Sequence, residues 1–343
     1  MQIMKPRPFR GLALLGGLML IVAACSGGGA SESAGAPSEA APSGAAPSEA
    51  APSEAAPSAA APSEAMMDLS GATFTVGSKE FTEQLILGQI TKLVLEDHGA
   101  TVDDQTGLVG SKVVREALVS GEIDMYWEYT GTGWITHLGN TTPVVGSQEQ
   151  FDAVKEADAA NDIVWVEPAP FNNTYSIALS NEKATELGVS KLSDLAALPP
   201  ADTTLCAAAE FLGRDDGLPG LEQAYGVKFS DVSELELGLV YTSIDKSDPC
   251  IFGEAFATDG RIAALGLTVL ADDKDFFPSY LPALNIRKEV FDANPGLAEL
   301  FAPVAAALDT ATMQDLNSKV DVDGMQPADV AAEFLKSQGL MGG

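Results

Sequence analysis

The chain is poor in positive charge, histidine and cysteine. Nineteen lysines and arginines stand against 49 aspartates and glutamates, a formal net charge of −30 in 343 residues. A surface this acidic repels phosphate backbones, so no nucleic-acid partner is expected. The two histidines, His98 and His137, each lack a second histidine at metal-ligand spacing. Neither His-Glu-x-x-His nor Gly-x-Ser-x-Gly occurs, which removes two common hydrolase readings. Asp321-Val322-Asp323-Gly324 is acidic, but its spacing fails the calcium-loop pattern. The expectation is a protein that is not an enzyme and holds no cofactor or metal.

Long apolar runs are scarce as well. Residues 11–23 form one, too short for a typical spanning helix. Lys5, Arg7 and Arg10 precede it, and Val22-Ala23-Ala24-Cys25 ends it. That order matches a bacterial lipoprotein leader over residues 1–24, with cleavage before Cys25 and acylation of its sulfur. An ordinary signal peptide with an incidental cysteine is the alternative. Lipid chains would hold the protein on the outer face of the cytoplasmic membrane without spanning it.

A tether is expected over residues 25–70. No large apolar side chain lies between Cys25 and Met66, so this stretch has nothing with which to build a core. Prolines recur at 37, 42, 47, 52, 57 and 62, with Glu39, Glu49, Glu54 and Glu64 in the repeat. Such a chain favours extended conformations and would reach on the order of 100 Å. Without the three leader cations the balance is 16 basic against 49 acidic residues, or −33. Beyond Cys25, only Cys206 and Cys250 remain. A pair in an exported protein reads as a disulfide, with two buried free thiols as the alternative.

The remainder alternates strand and helix patterns. Strands are predicted at 73–76, 123–126, 163–166, 175–179, 204–208, 250–252 and 267–270. Helices are predicted at 82–97, from Ser111 to about Ser120, around 151–160, at about 218–225, and from Pro327 to just before Gly339. Alternation of this kind gives α/β layers. A chain that leaves a first domain near Pro170 and returns near Tyr280 makes two lobes, 71–170 with 281–343 and 171–280, with a cleft between them. Clefts between domains favour ligands. Two runs stand at predicted strand ends, Gly77-Ser78-Lys79-Glu80-Phe81-Thr82-Glu83-Gln84 and Glu128-Tyr129-Thr130-Gly131-Thr132. Strand ends are where open α/β sheets bind small molecules. A lysine and a hydroxyl suit a carboxylate, and a ring suits a cation, so the pair points to a small ligand with both charges. Trp127, Trp134 and Trp165 are expected to pack.

These two runs resemble those of the solute-binding lipoproteins of bacterial osmoprotectant ABC importers, the glycine betaine, choline and carnitine group. Weaker runs add to the likeness, among them Glu210-Phe211-Leu212-Gly213-Arg214, Ala255-Phe256-Ala257-Thr258-Asp259 and Phe277-Pro278-Ser279-Tyr280. The resemblance implies a two-lobed periplasmic-binding-protein type II fold, an ABC permease as partner, and a monomer. It implies an aromatic cage for a trimethylammonium group from Tyr129, Tyr175, Phe256 and Tyr280. It puts carboxylate contacts on Lys79, Thr132 and Arg214, and a main-chain contact at Asn173. Phe256 departs from the family's usual tyrosine, and Asn173 from a frequent acidic residue. A zwitterion such as glycine betaine is the expected ligand. A choline-preferring subunit, or a sensor or adhesin without transport, is the alternative.

Overall fold

The computed structural model describes residues 67–342. The leader, Cys25 and the tether as far as residue 66 lie outside the described residues. Leu69, near the expected end of the tether, is buried in the first core, and its N–H donates to the His98 carbonyl at 2.8 Å.

Among the described residues, ten strands form two five-stranded sheets. Before the first crossing come β1 (Thr73–Lys79), β2 (Thr101–Leu108), β3 (Met125–Tyr129) and β4 (Ile163–Trp165). Between the crossings lie β5 (Tyr175–Ser180), β6 (Thr204–Ala207), β7 (Asp231–Glu234), β8 (Phe252–Phe256) and β9 (Leu267–Val269). After the second crossing comes β10 (Pro282–Arg287). The sheet orders are β2-β1-β3-β10-β4 and β7-β6-β8-β5-β9. In the first, β1 runs parallel to β2 and β3, and β10 is antiparallel to β3 and β4. In the second, β6 runs parallel to β7 and β8, and β5 is antiparallel to β8 and β9. Each sheet is thus a parallel set with the chain's crossing strand, β10 or β5, inserted antiparallel. The architecture is the expected two-lobed α/β type.

Local sequence accounts for most of these elements. Helix α1 (Thr82–Asp97) buries Ile86, Leu87, Ile90, Val94 and Leu95 on one stripe against the first sheet. Helix α2 (Ser111–Ser120) stops at Gly121, whose φ of 83° suits glycine. The helix Pro327–Gln338 opens on proline and ends at Gly339, also left-handed. The first core joins Phe74 and Val76 to Trp127, Leu284 and Ile286, and to Phe301, Met313 and Phe334 of the C-terminal helices. The second gathers Ile177, Leu179, Leu205, Leu221 and Phe252, and takes in Tyr129 from the other sheet and Tyr280 from the second crossing. The Trp127 and Trp165 indoles are buried and donate to Thr91 Oγ1 and Asp158 Oδ2, both at 2.8 Å. Trp134 is half-buried and donates to the Thr142 carbonyl at 2.8 Å.

The structure departs from the sequence pattern in three ways. β2 and β7 are absent from the predicted strands. Both are edge strands with largely polar, exposed faces, so they carry no apolar alternation to read. Gly77, Ser78 and Lys79, expected in a loop, finish β1, with a register irregularity between Gly77 and Lys79. β3 begins at Met125 and runs past its predicted end at 126 to Tyr129, and β8 spans Phe252–Phe256, sharing only Phe252 with the predicted 250–252. In each, a buried glutamate, Glu128 or Glu254, interrupts the apolar run that marks a strand.

Cys206 of β6 and Cys250 are joined as a disulfide, with their Cα atoms 5.6 Å apart. The bridge closes a sequence separation of 44 residues beneath the second sheet. By loop entropy it contributes about 4 kcal/mol. Replacing both cysteines with serine is expected to lower the urea-unfolding free energy by a comparable amount, read by circular dichroism, while one-to-one ligand binding persists at low temperature.

Candidate functional site

A cavity of about 290 Å³ opens between the carboxyl ends of the parallel strands of the two sheets. All eight candidate residues line it: Lys79, Tyr129, Thr132, Asn173, Tyr175, Arg214, Phe256 and Tyr280. The register explains part of this convergence. β10 sets Pro282 opposite Tyr129, which brings Tyr280 to the same end as β3. β5 sets Tyr175 directly opposite Phe256. Thr130 fastens the turn after β3 to the returning chain. Its hydroxyl donates to the Ser279 carbonyl at 2.8 Å and accepts from the Leu281 N–H at 3.1 Å. Gly131 is needed there, because a Cβ would meet the Tyr280 ring at 2.7 Å and the Ser279 carbonyl at 2.9 Å.

The rings form a continuous chain. Tyr129 stacks near Phe81 at 6.2 Å between centroids, Phe81 meets Phe256 at 5.3 Å, and Phe256 meets Tyr175 at 5.0 Å. Tyr175 then meets Tyr280 edge to face at 5.6 Å. Phe81 is a cavity residue that the site assignment omitted, although it stands inside the first motif. Two protein cations approach these rings. Lys79 Nζ lies 5.1 Å from the Tyr129 centroid, and the Arg214 guanidinium 5.5 Å from that of Tyr175.

Both cations assigned to a ligand carboxylate also have partners within the protein. Lys79 Nζ donates to Glu128 Oε1 at 2.6 Å, with both side chains buried. Glu128 also accepts from the Tyr126 hydroxyl at 2.9 Å and the Tyr129 N–H at 2.7 Å, and lies 2.8 Å from His137 Nε2. Burial works to raise the Glu128 carboxyl. The Lys79 ammonium and His137 outweigh it and hold the group well below the usual carboxylate range. Arg214 places its fork on Asp216, Nε to Oδ1 at 2.7 Å and Nη2 to Oδ2 at 2.5 Å. Its outer edge reaches Glu210 Oε1 at 3.2 Å and Thr132 Oγ1 at 3.3–3.4 Å. The Tyr280 hydroxyl donates to Asp216 Oδ2 at 2.7 Å. Asn173 points its side-chain amide at Glu83 Oε1, 2.8 Å away, and its N–H at the Tyr280 carbonyl.

Glu210 and Glu254 also line the cavity and were not among the candidates. Glu210 lay within a quoted run. The only sequence signal for Glu254 is an acid inside an apolar strand. Glu254 is 1% exposed and accepts one hydrogen bond, from the Ala208 N–H at 2.7 Å. Burial pushes its carboxyl up to about 8, against the Ala208 N–H and Arg214, while Glu210 adds to the rise. No group of acidic, histidine and cysteine side chains suited to a metal occurs among the described residues.

The comparisons with known proteins agree with this geometry. Residues 72–337 match the OpuAC family, the substrate-binding domain of ABC-type glycine betaine transport systems. The chain belongs to that family. It is 40% identical over 279 residues to a glycine-betaine-binding protein of Pseudomonas aeruginosa, covering 78% of this chain and 89% of the relative. It is 37% identical over 274 residues to the glycine betaine-binding protein YehZ of Escherichia coli, covering 77% and 90%. The apo YehZ structure superposes with a TM-score of 0.61, spanning 79% of this chain and all of that one. As an OpuAC member the chain is an extracytoplasmic substrate-binding protein of an ABC importer, not an enzyme. A small molecule and an ABC permease are its partners.

Glu254 makes the stability of this OpuAC protein depend on pH. Between its ordinary value of 4.5 and about 8, the folded chain keeps a proton that the unfolded chain releases. Stability from this group is therefore full below pH 4.5 and lost as pH rises to about 8. The Glu254→Gln variant should show a shallower fall in urea-unfolding free energy between pH 5 and pH 8, by roughly 3–4 kcal/mol.

Proposed function

We propose that the cavity captures a small zwitterion joining a quaternary ammonium to a carboxylate, glycine betaine or a close analogue, and that the closed protein delivers it to the permease. The chain of five rings, Tyr129, Phe81, Phe256, Tyr175 and Tyr280, carries this reading. A quaternary ammonium has no N–H to donate, so ring faces are its natural partners. Each face contributes ~0.5–2 kcal/mol, a large share of the ~8 kcal/mol that a micromolar affinity requires. Thr132 and the outer edge of Arg214 supply donors for the carboxylate. The glycine betaine named for the Pseudomonas and Escherichia relatives supports the same ligand class. Phe256 keeps a ring face without a hydroxyl, which weakens the cage modestly. Lipidation at Cys25 and the Pro/Ala/Glu tether would keep a monomer near its permease, an effective-concentration gain.

One observation favours a second reading. Lys79 is already neutralised by Glu128, and Arg214 faces two carboxylates, Asp216 and Glu210. That balance suits a ligand with net positive charge, such as choline.

Calorimetric titration of the purified protein separates the readings. Saturable one-to-one heat with glycine betaine, silence with plain glycine, and a loss of about tenfold or more in Tyr129→Ala are expected. Tighter binding of choline than of glycine betaine would favour the second reading. Silence with glycine betaine, carnitine and choline would overturn both.

A further inference from the structure

The first motif contains a residue that the cage does not use. Glu83 stands in the first turn of α1, and its side chain is 2% exposed. Four donors converge on it from four separate parts of the chain. Oε1 accepts from the Tyr129 hydroxyl at 2.7 Å and the Asn173 amide at 2.8 Å. Oε2 accepts from the Thr258 hydroxyl at 2.5 Å and the Asn317 amide at 3.2 Å. Tyr129 ends β3 in the first lobe. Asn173 lies in the first crossing. Thr258 follows β8 in the second lobe. Asn317 lies on the helix Thr310–Asp321, and its amide also donates to the Thr258 carbonyl at 2.9 Å. No cation lies within salt-bridge distance of Glu83 among the described residues, so four neutral donors hold the group. Burial pushes the Glu83 carboxyl above its ordinary value, and the four donors oppose that rise. Two oxygens each meeting two donors is the arrangement that favours the ionised form.

We propose that Glu83 is a positioning residue that couples the aromatic cage to lobe closure, holding a cage hydroxyl and a second-lobe hydroxyl on one buried carboxylate. This rests on the ligand reading above. The Tyr129 hydroxyl sets the tilt of a ring whose face lines the cavity, and Glu83 puts negative charge behind that ring. A cation on the ring face therefore interacts with a carboxylate that Thr258 covers while the lobes are together. Separating the lobes would break the Thr258 bond and expose Glu83 to water. One further contact crosses the same seam: Arg261 of the second lobe pairs with Asp321 at 3.3 Å, and Asp321 also accepts from the Thr82 hydroxyl at 2.6 Å within the first lobe. These contacts do not reach the cage, whereas Glu83 touches both.

Two variants test the role. Glu83→Gln preserves size but removes the charge and turns one oxygen into a donor facing a hydroxyl, which can turn to accept, and an amide N–H, whose bond is lost. Thr258→Val removes only the bond from the second lobe and leaves every ring in place. Calorimetry, stopped-flow dissociation and small-angle scattering are read on the parent and both variants, with circular dichroism melts as the folding control. Glycine betaine should bind each variant about tenfold or more weaker, through faster dissociation. At saturating glycine betaine both variants should keep a larger radius of gyration than the parent. Folded variants that bind within about twofold of the parent and compact equally would overturn the role while leaving the ligand reading standing. If Glu83→Gln fails to fold, Thr258→Val decides by the same measures. A parent silent toward glycine betaine, carnitine and choline would overturn the ligand reading instead. Scattering without ligand then decides the role: radii equal to the parent's overturn it, and larger radii support it.

Discussion

The Glu128 carboxylate organises the first lobe's side of the cavity. It lies in β3, fully buried, and gathers the Lys79 ammonium from the end of β1, the Tyr126 hydroxyl, His137 beyond the turn, and the Tyr129 N–H. Burying such a charge is costly unless its oxygens are filled, and removing one partner of a buried pair costs about 3–5 kcal/mol. With every contact made, the end of β1, the end of β3 and the turn after β3 share one anchor. Lys79 and Tyr129 then stand at fixed positions at the cavity wall, with the ammonium against the ring.

The second lobe buries acids by a different balance. Asp216 takes the fork of Arg214 and the Tyr280 hydroxyl, which binds a residue of the returning crossing to the second lobe. Glu254, by contrast, keeps only a backbone N–H and is pushed up to about 8. The cavity therefore joins saturated charges, which hold shape, to one carboxyl whose protonation answers to its surroundings.

Much of the fold was legible in local pattern. The boundaries of α1, of α2 and of the helix Pro327–Gln338 follow from an apolar stripe and from glycine or proline at their ends. The edge strands β2 and β7 were not legible, since a strand with water on its faces needs no apolar alternation. The ends of β3 and β8 were hidden for the opposite reason. Glu128 and Glu254 are buried where a pattern reader expects apolar side chains, and only tertiary partners make that burial tolerable. Six of the eight candidates stand in the runs that carry the resemblance, and Asn173 and Tyr175 lie outside those runs; Phe81, Glu83 and Glu254 were not singled out, because nothing local separates them from packing or surface residues.

By itself, the amino-acid sequence determined the alternation of strands and helices, the two crossings, and the residue types that reach the strand ends. These depend on periodicity and on backbone preferences within a few positions. Tertiary structure alone decided the pairings: Lys79 with Glu128 across 49 positions, Arg214 with Thr132 across 82, and Thr258 with Glu83 across 175. Which carboxylate meets which donor depends on distances of about 3 Å between parts of the chain that only the packed lobes bring together.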